Sequence, residues 1–339
     1  ETFPNENYPY YEKLMHDPGI YALLFFGKIP MLIFDIAIAF ILLRIFNDIR
    51  KSTLAFKIWM FNPISLYTIF IFGELEVVSI FFAVLGTYLI YKKKWGSGIF
   101  WLGVSIALKP IALMLLPFAL VSMKNSSSVK QISKFLMISL IPFVIQSTFL
   151  LASIFFQGVQ MVTQVDIHKM YPIALSIWVR TLVEYSLHAP TFAQFIDVIY
   201  IFPLTYAILL MVTIFSSKIN HTHIWAINTI VFSLLFALNL FHPHWFLWFA
   251  PFFIVFAIQN DKKLPYIFYL ISLLFVIYCF YWASLQLALF MPISPTIYQL
   301  PGALSSLESA GLPGIYLVNL ARSIFSGILL FLSVFSIKI

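Results

Sequence analysis

Four sets of side chains in this chain have types and spacings that could do chemistry, and all lie within or beside strongly apolar sequence. The first is Lys109, followed by Pro110, in the run 98–121 (GIFWLGVSIALKPIALMLLPFALV). An ionisable group at membrane depth is costly by at least a few kcal/mol, so it faces a cavity, a counter-charge or a ligand. The rival reading is that Lys109 snorkels to the outer interface through its long stem. The second set is Gly73-Glu74-Leu75-Glu76, an acidic turn between two apolar runs. An ExE pair can hold a divalent cation through oxygen ligands, yet residues two apart on a helix face different ways, so the carboxylates act jointly only if Gly73 holds them in a turn. As a metal motif it is weak, and no other cofactor is indicated. The third set is His242-Pro243-His244, within FHPHWFLW. Imidazole can accept a proton, ligate a metal or, when protonated, pair with phosphate; the rival reading is an interfacial aromatic belt anchored by Trp245 and Trp248. The fourth set is Lys28, Asp35 and Arg322, single charges inside apolar runs. A guanidinium there prefers a phosphate or carboxylate, unless it snorkels to the interface.

The elements that position these groups follow from composition. With 62% hydrophobic residues, 10% charged residues and a mean hydropathy of +0.97, the apolar runs reach membrane-spanning length and the class is an integral membrane protein. The net charge of +7 comes from basic clusters between apolar spans, the pattern of topology signals, and nucleic-acid binding is discounted. The single Cys279 lies inside an apolar span and allows no intrachain disulfide.

Reading the runs predicts an all-α, polytopic, single transmembrane domain over 1–339 with about eleven segments: 29–45, 59–72, 77–91, 98–108, 111–121, 135–155, 198–215, 224–241, 246–258, 264–290 and 315–335. Loops 1–28, 156–197 and 291–314 fall outside the membrane, and Arg180 and Glu184, four apart in an amphipathic stretch, suit an interfacial helix. The segments 98–108 and 111–121 are too short to cross alone and meet at Pro110, which removes a backbone donor and bends the chain. The clusters Arg44/Arg50/Lys51/Lys57, Lys92–Lys94, Lys124/Lys130/Lys134, Lys218, Lys262/Lys263 and Lys338 then share the cytoplasmic side, and most acids lie outside or within the spans. A glycan on either sequon, Asn125 or Asn220, would invert that topology.

Taken in order, Lys28-x6-Asp35, Trp59-Met-Phe-Asn62-Pro63, Gly73-Glu-Leu-Glu76, Gly103-x5-Lys109-Pro110 and Phe241-His-Pro-His-Trp-Phe-Leu-Trp-Phe-Ala-Pro251 resemble the GT-C superfamily of polyprenyl-phosphate-sugar-dependent glycosyltransferases. The order and spacing are most similar to the alpha-mannosyltransferase branches, the bacterial and archaeal lipid mannosyltransferases and the first GPI mannosyltransferase. The resemblance covers Lys28 to Pro251; each motif is degenerate and the succession carries it. It implies inverting transfer of a sugar, mannose in those branches, from a polyprenyl-phosphate donor to a hydroxyl of a glycolipid or glycan acceptor on the extracytoplasmic face, in contact with membrane lipid. It implies donor-phosphate contacts from Lys109, His242, His244 and Arg322, and sugar or acceptor contacts from Glu74, Glu76 and Asp35.

The departure is at the start. Relatives carry a first helix and then an acidic outer loop, whereas this chain opens at Glu1 in polar, aromatic sequence, so the initial helix is expected upstream. Glu6, Glu12 and Asp17 are the acids available as catalytic base, unless that residue too lies upstream. Two readings of other classes stand beside the enzyme: a secondary transporter, which also uses broken helices and buried charges but shows repeated halves not found here, and a non-catalytic subunit of a membrane complex.

Overall fold

Apolar runs of this length offer their peptide groups no water, so the backbone closes its hydrogen bonds within helices. The computed structural model describes residues 18–72, 75–124, 127–156, 188–190, 198–260, 263–282 and 301–337. The described chain is helical apart from a short antiparallel ribbon, β1 (His188–Pro190) against β2 (Val198–Tyr200). Its helices are α1 (Pro18–Ile45), α2 (Ile49–Phe61), α3 (Glu76–Tyr91), α4 (Trp95–Leu108), α5 (Leu116–Ser122), α6 (Val129–Phe156), α7 (Ile201–Phe215), α8 (Ile224–Leu238), α9 (Ala250–Asn260), α10 (Leu264–Cys279), α11 (Ala303–Ser309) and α12 (Gly314–Ile337).

Among the described residues, four helical stretches are long and apolar enough to cross a bilayer: 26–45, 129–146, 221–238 and 314–336. The α6 helix exposes Met137, Leu140, Ile141, Phe143 and Val144, and α12 exposes Leu320, Ile324, Phe331 and Val334, whereas α8 is buried along its length apart from the partly accessible Ala226. Apolar surface on that scale, on helices of spanning length, suits contact with lipid. The protein is a membrane-embedded helical protein, as its hydropathy predicts. The predicted interfacial helix around Arg180 and Glu184 lies outside the described residues.

Two of the apolar runs are broken, each for a local reason. The run 59–72 divides at Asn62-Pro63, where Asn62 Oδ1 accepts from Ser65 N at 2.8 Å and caps a single helical turn, Pro63–Ser65. Asn and Pro in this order are start signals, so the chain restarts there rather than continuing α2. It then runs into a seven-residue π-helix, Leu66–Phe72. The run 98–121 divides at Lys109, whose backbone is extended (φ −145°, ψ 117°) because the Pro110 ring clashes with a helical conformation before it. A 3-10 segment, Pro110–Leu115, follows and leads into α5.

The chain forms two compact units. The first comprises residues 1–78, 243–250 and 257–325. Its core is aromatic: Phe246 packs on Phe249, Phe275 and Phe325 with ring centroids 5.0, 5.3 and 4.8 Å apart. The second comprises residues 79–242, 251–256 and 326–339. There α3 and α4 are joined by reciprocal bonds, Ser79 Oγ to Ser105 O at 2.9 Å and Ser105 Oγ to Ser79 O at 2.8 Å. Farther along, a Cβ on Gly86 would lie 2.8 Å from the carbonyl oxygen of Gly98, so the two backbones meet where neither residue has a side chain. The end of α7 is closed by Lys124, which donates to the carbonyls of Thr213, Ile214 and Ser216 at 3.0, 2.6 and 2.6 Å, neutralising the negative end of the helix.

Among the described glycines the closest backbone approach is at Gly103 of α4, where an added Cβ would run into the backbone of Ser139 on α6, whereas Gly327 of α12 has open space around it. Gly103→Val therefore lowers stability by about 1–3 kcal/mol through overpacking, read as loss of thermal stability of the detergent-solubilised protein, and Gly327→Ala leaves it unchanged or slightly raised. Equal melting of Gly103→Val and wild type would contradict this packing.

Candidate functional site

A carboxylate removed from water destabilises the fold around it unless donors replace its hydration. Glu76 is in that position, 1% exposed at the first turn of α3. At the start of α3, Glu76 meets the buried 3-10 segment Pro243–Trp248. Trp248 Nε1 donates to Glu76 Oε2 at 2.9 Å, and His244 Nε2 lies 3.8 Å from Glu76 Oε1. The indole bond is short and direct, whereas the imidazole is within ion-pair range but beyond a direct hydrogen bond. His244 and Trp248 are four positions apart, which lets one short helical segment present both groups to one carboxylate. The predicted belt role of Trp248 is replaced by a core role, because its ring is fully buried and its N–H is spent on Glu76.

Asp35 is buried as well, on α1, and accepts from Trp59 Nε1 at 2.8 Å. The carbonyl of Trp59 in turn accepts from Asn62 Nδ2 and from Ser65 Oγ, both at 2.7 Å. Asp35, 24 positions before Trp59, thus joins Trp59 and Asn62 in one buried polar chain across the break at Asn62-Pro63. Lys28 donates to the carbonyl of Phe70 at 3.0 Å, tying α1 to the π-helix just before the acidic turn. Arg322 spreads its guanidinium over Tyr278 and Phe325, 5.6 and 5.5 Å from the ring centroids. Phe325 packs on Phe246, two residues after His244, so Arg322 belongs to the same aromatic cluster. These contacts all lie within the first unit.

In the second unit, Lys109 is half-buried at the break between α4 and the 3-10 segment, its N–H bonded to Ser105 O at 2.9 Å. His242 is half-buried in the turn that follows α8. Burial lowers its pKa from the ordinary histidine value, because desolvation opposes the imidazolium. Glu6, Glu12, Asp17 and Glu74 lie outside the described residues. Among the described residues no group of three or more His, Cys, Asp or Glu is arranged to hold a metal ion.

Of the residues expected from sequence, the structure brings Glu76 and His244 together and gives Asp35 a partner in Trp59. Trp248 and Trp59 were not legible as indole donors to carboxylates, since 172 positions separate Trp248 from Glu76. The signal for Trp59 was present in its place beside Asn62-Pro63. Such sites identify a membrane-embedded helical protein with buried carboxylate centres. No family model, curated protein or solved structure matches the chain.

Removing the indole donor leaves the Glu76 carboxylate buried with one bond fewer, which costs about 1.5–3 kcal/mol for a charged acceptor. Trp248→Phe is therefore expected to lower the melting temperature in detergent, and Trp248→Phe in a Glu76→Gln background to cost measurably less, since no charge is then stranded; a cycle without coupling would refute the pairing. Because the folded pKa of His242 is lowered, the fold carries no penalty from this group above the unfolded value of about 6.5 and loses stability as pH falls below it toward the folded value. His242→Gln is expected to flatten that acid limb in melts between pH 7.5 and 5, and an unchanged limb would count against it.

Proposed function

We propose that this protein is a GT-C-type membrane glycosyltransferase with about eleven membrane segments. In this reading it transfers a sugar, mannose in the branches it resembles, from a polyprenyl-phosphate donor to an acceptor hydroxyl on the extracytoplasmic face. The observation that carries the reading is the buried Glu76 carboxylate, bonded by Trp248 and faced by His244 inside an apolar helical protein. Such a centre is costly to maintain at membrane depth and marks a functional site by default. The resemblance to the glycosyltransferases supplies the chemistry for it.

In the proposed reaction the acceptor oxygen bonds to the anomeric carbon as the bond from that carbon to the phosphate oxygen breaks. The acceptor proton passes to a carboxylate, and the polyprenyl phosphate departs with the bonding pair. Lys109, His242, His244 and Arg322 are assigned to the departing phosphate, whose growing charge their cationic or N–H groups stabilise. Glu74, Glu76 and Asp35 are assigned to the sugar and the acceptor. Asp35 and Glu76 each already accept from an indole, at 2.8 and 2.9 Å, which suits them to orient hydroxyls; the base is unassigned, with Glu6, Glu12 and Asp17 as candidates.

A second reading has one observation in its favour: an acid facing an imidazole in a membrane protein is also a proton-relay pair, as in proton-coupled transport. Membranes containing the protein, supplied with polyprenyl-phosphate-linked radiolabelled mannose and a glycolipid acceptor, discriminate the two. Glycosyl transfer is expected in wild type and in Glu308→Gln, an exposed control, with a loss of about 10²-fold or more in Lys109→Ala and His244→Gln. Undiminished transfer in both variants, or solute uptake without any lipid-linked donor consumed, would overturn the proposal.

A further inference from the structure

The α2 helix has two faces with different partners. Ser52, Ala55, Ile58 and Trp59 are buried, and at 100° per residue they fall on one side of the helix. The opposite side carries Arg50, Thr53 and Lys57, spaced i, i+3 and i+7 in a single stripe, with Ile49 and Leu54 on its two flanks. These five residues line an open surface groove of about 450 Å³, wholly within the first unit. Ile49 is 74% exposed and Phe61, farther along the same face, is 72% exposed. A face of this kind, apolar and cationic together, fits neither water nor hydrocarbon alone.

Its charges ask for an anion. Arg44, Arg50, Lys51 and Lys57 are all exposed, and the one acid among them in sequence, Asp48, is engaged at the start of α2, where its side chain accepts from Arg50 N at 2.8 Å. The guanidinium of Arg50 can form a bidentate pair with a phosphodiester, Thr53 can donate a hydroxyl, and the Lys57 ammonium supplies a second charge on the same stripe. Ile49, Leu54 and Phe61 provide an apolar track for a chain attached to that headgroup. We infer that this face of α2 is a binding site for an anionic phospholipid of the surrounding bilayer, its headgroup phosphate held by Arg50, Thr53 and Lys57 and an acyl chain laid along Ile49, Leu54 and Phe61. The bilayer supplies the occupant directly, and positive charge next to exposed apolar side chains selects the anionic lipids within it. The site is separate from the residues assigned to sugar transfer and does not depend on that assignment.

The full chain, reconstituted in nanodiscs of phosphatidylcholine doped with phosphatidylglycerol, tests this by native mass spectrometry of retained lipid and by titration with a fluorescent phosphatidylglycerol. Arg50→Gln combined with Lys57→Gln is expected to weaken phosphatidylglycerol binding about thirtyfold, the equivalent of roughly 1 kcal/mol per charge. Phosphatidylcholine retention should not change. Substituting Lys92, Lys93 and Lys94 together by Gln removes more charge from a different exposed cluster and should leave the tight phosphatidylglycerol site intact. Retention of phosphatidylglycerol by the Arg50/Lys57 variant, equal loss in the Lys92–Lys94 variant, or equal binding of the two lipids by wild type would each overturn the inference. Leu54→Asn, which keeps both charges, should weaken binding by loss of the apolar track while the protein retains its wild-type melting temperature.

Discussion

The burial of the Glu76 carboxylate constrains the first unit more than any other interaction. A carboxylate taken out of water is tolerated only where fixed donors replace its hydration, and here Trp248 bonds one oxygen while His244 faces the other. To present both groups, the chain around Pro243 must leave the regular helix and form a tight 3-10 segment, which in turn must be walled by bulky rings. Phe246, Phe249, Phe275 and Phe325 supply that wall. The aromatic richness of the sequence therefore has a particular use at this place: it excludes water from a charged centre and leaves only oriented dipoles around it.

The helix breaks serve the same end. At Asn62-Pro63 the restart of the helix frees the carbonyl of Trp59 to accept from Asn62 and Ser65, while the indole of the same Trp59 reaches Asp35. The π-helix that follows widens the backbone spiral just before the acidic turn, and the carbonyl of Phe70 is taken by Lys28. Irregular backbone at membrane depth is stable where protein groups satisfy it, and in each of these places a side chain from another segment does so. The break at Lys109-Pro110 has the same origin in proline stereochemistry and holds the only lysine of the run 98–121 in an extended, half-buried position.

Two carboxylates, Asp35 and Glu76, have the same kind of partner, an indole N–H from a fully buried tryptophan. Indole donates one bond and accepts none, so it fixes a carboxylate oxygen without offering it a proton path. That choice suits carboxylates that hold a geometry. The imidazole of His244 differs in kind from the indoles, since it can both donate and accept a hydrogen bond, and it faces the second oxygen of Glu76 at 3.8 Å.

The sequence by itself determined the class and the break at Lys109-Pro110; the run 59–72 reads as a single segment, and its division at Asn62-Pro63 is a finding of the structure. Apolar runs without water-facing periodicity can only be membrane helices, and Lys109-Pro110 interrupts one of them through local stereochemistry that needs no tertiary partner. It also marked Glu76, His244 and Asp35 as groups too polar for their surroundings. The identity of their partners was decided only by the tertiary structure. A tryptophan in an apolar run reads equally as a belt anchor or a core donor, and 172 residues of chain separate Trp248 from Glu76, so nothing local distinguishes the two. Arg322 shows the same limit: its charge predicts a phosphate or carboxylate, but its place over Tyr278 and Phe325 follows from how α10 and α12 pack. Local sequence sets backbone conformation through steric rules within a few residues, whereas the pairing of a buried charge depends on which distant segment folding brings within about 3 Å of it.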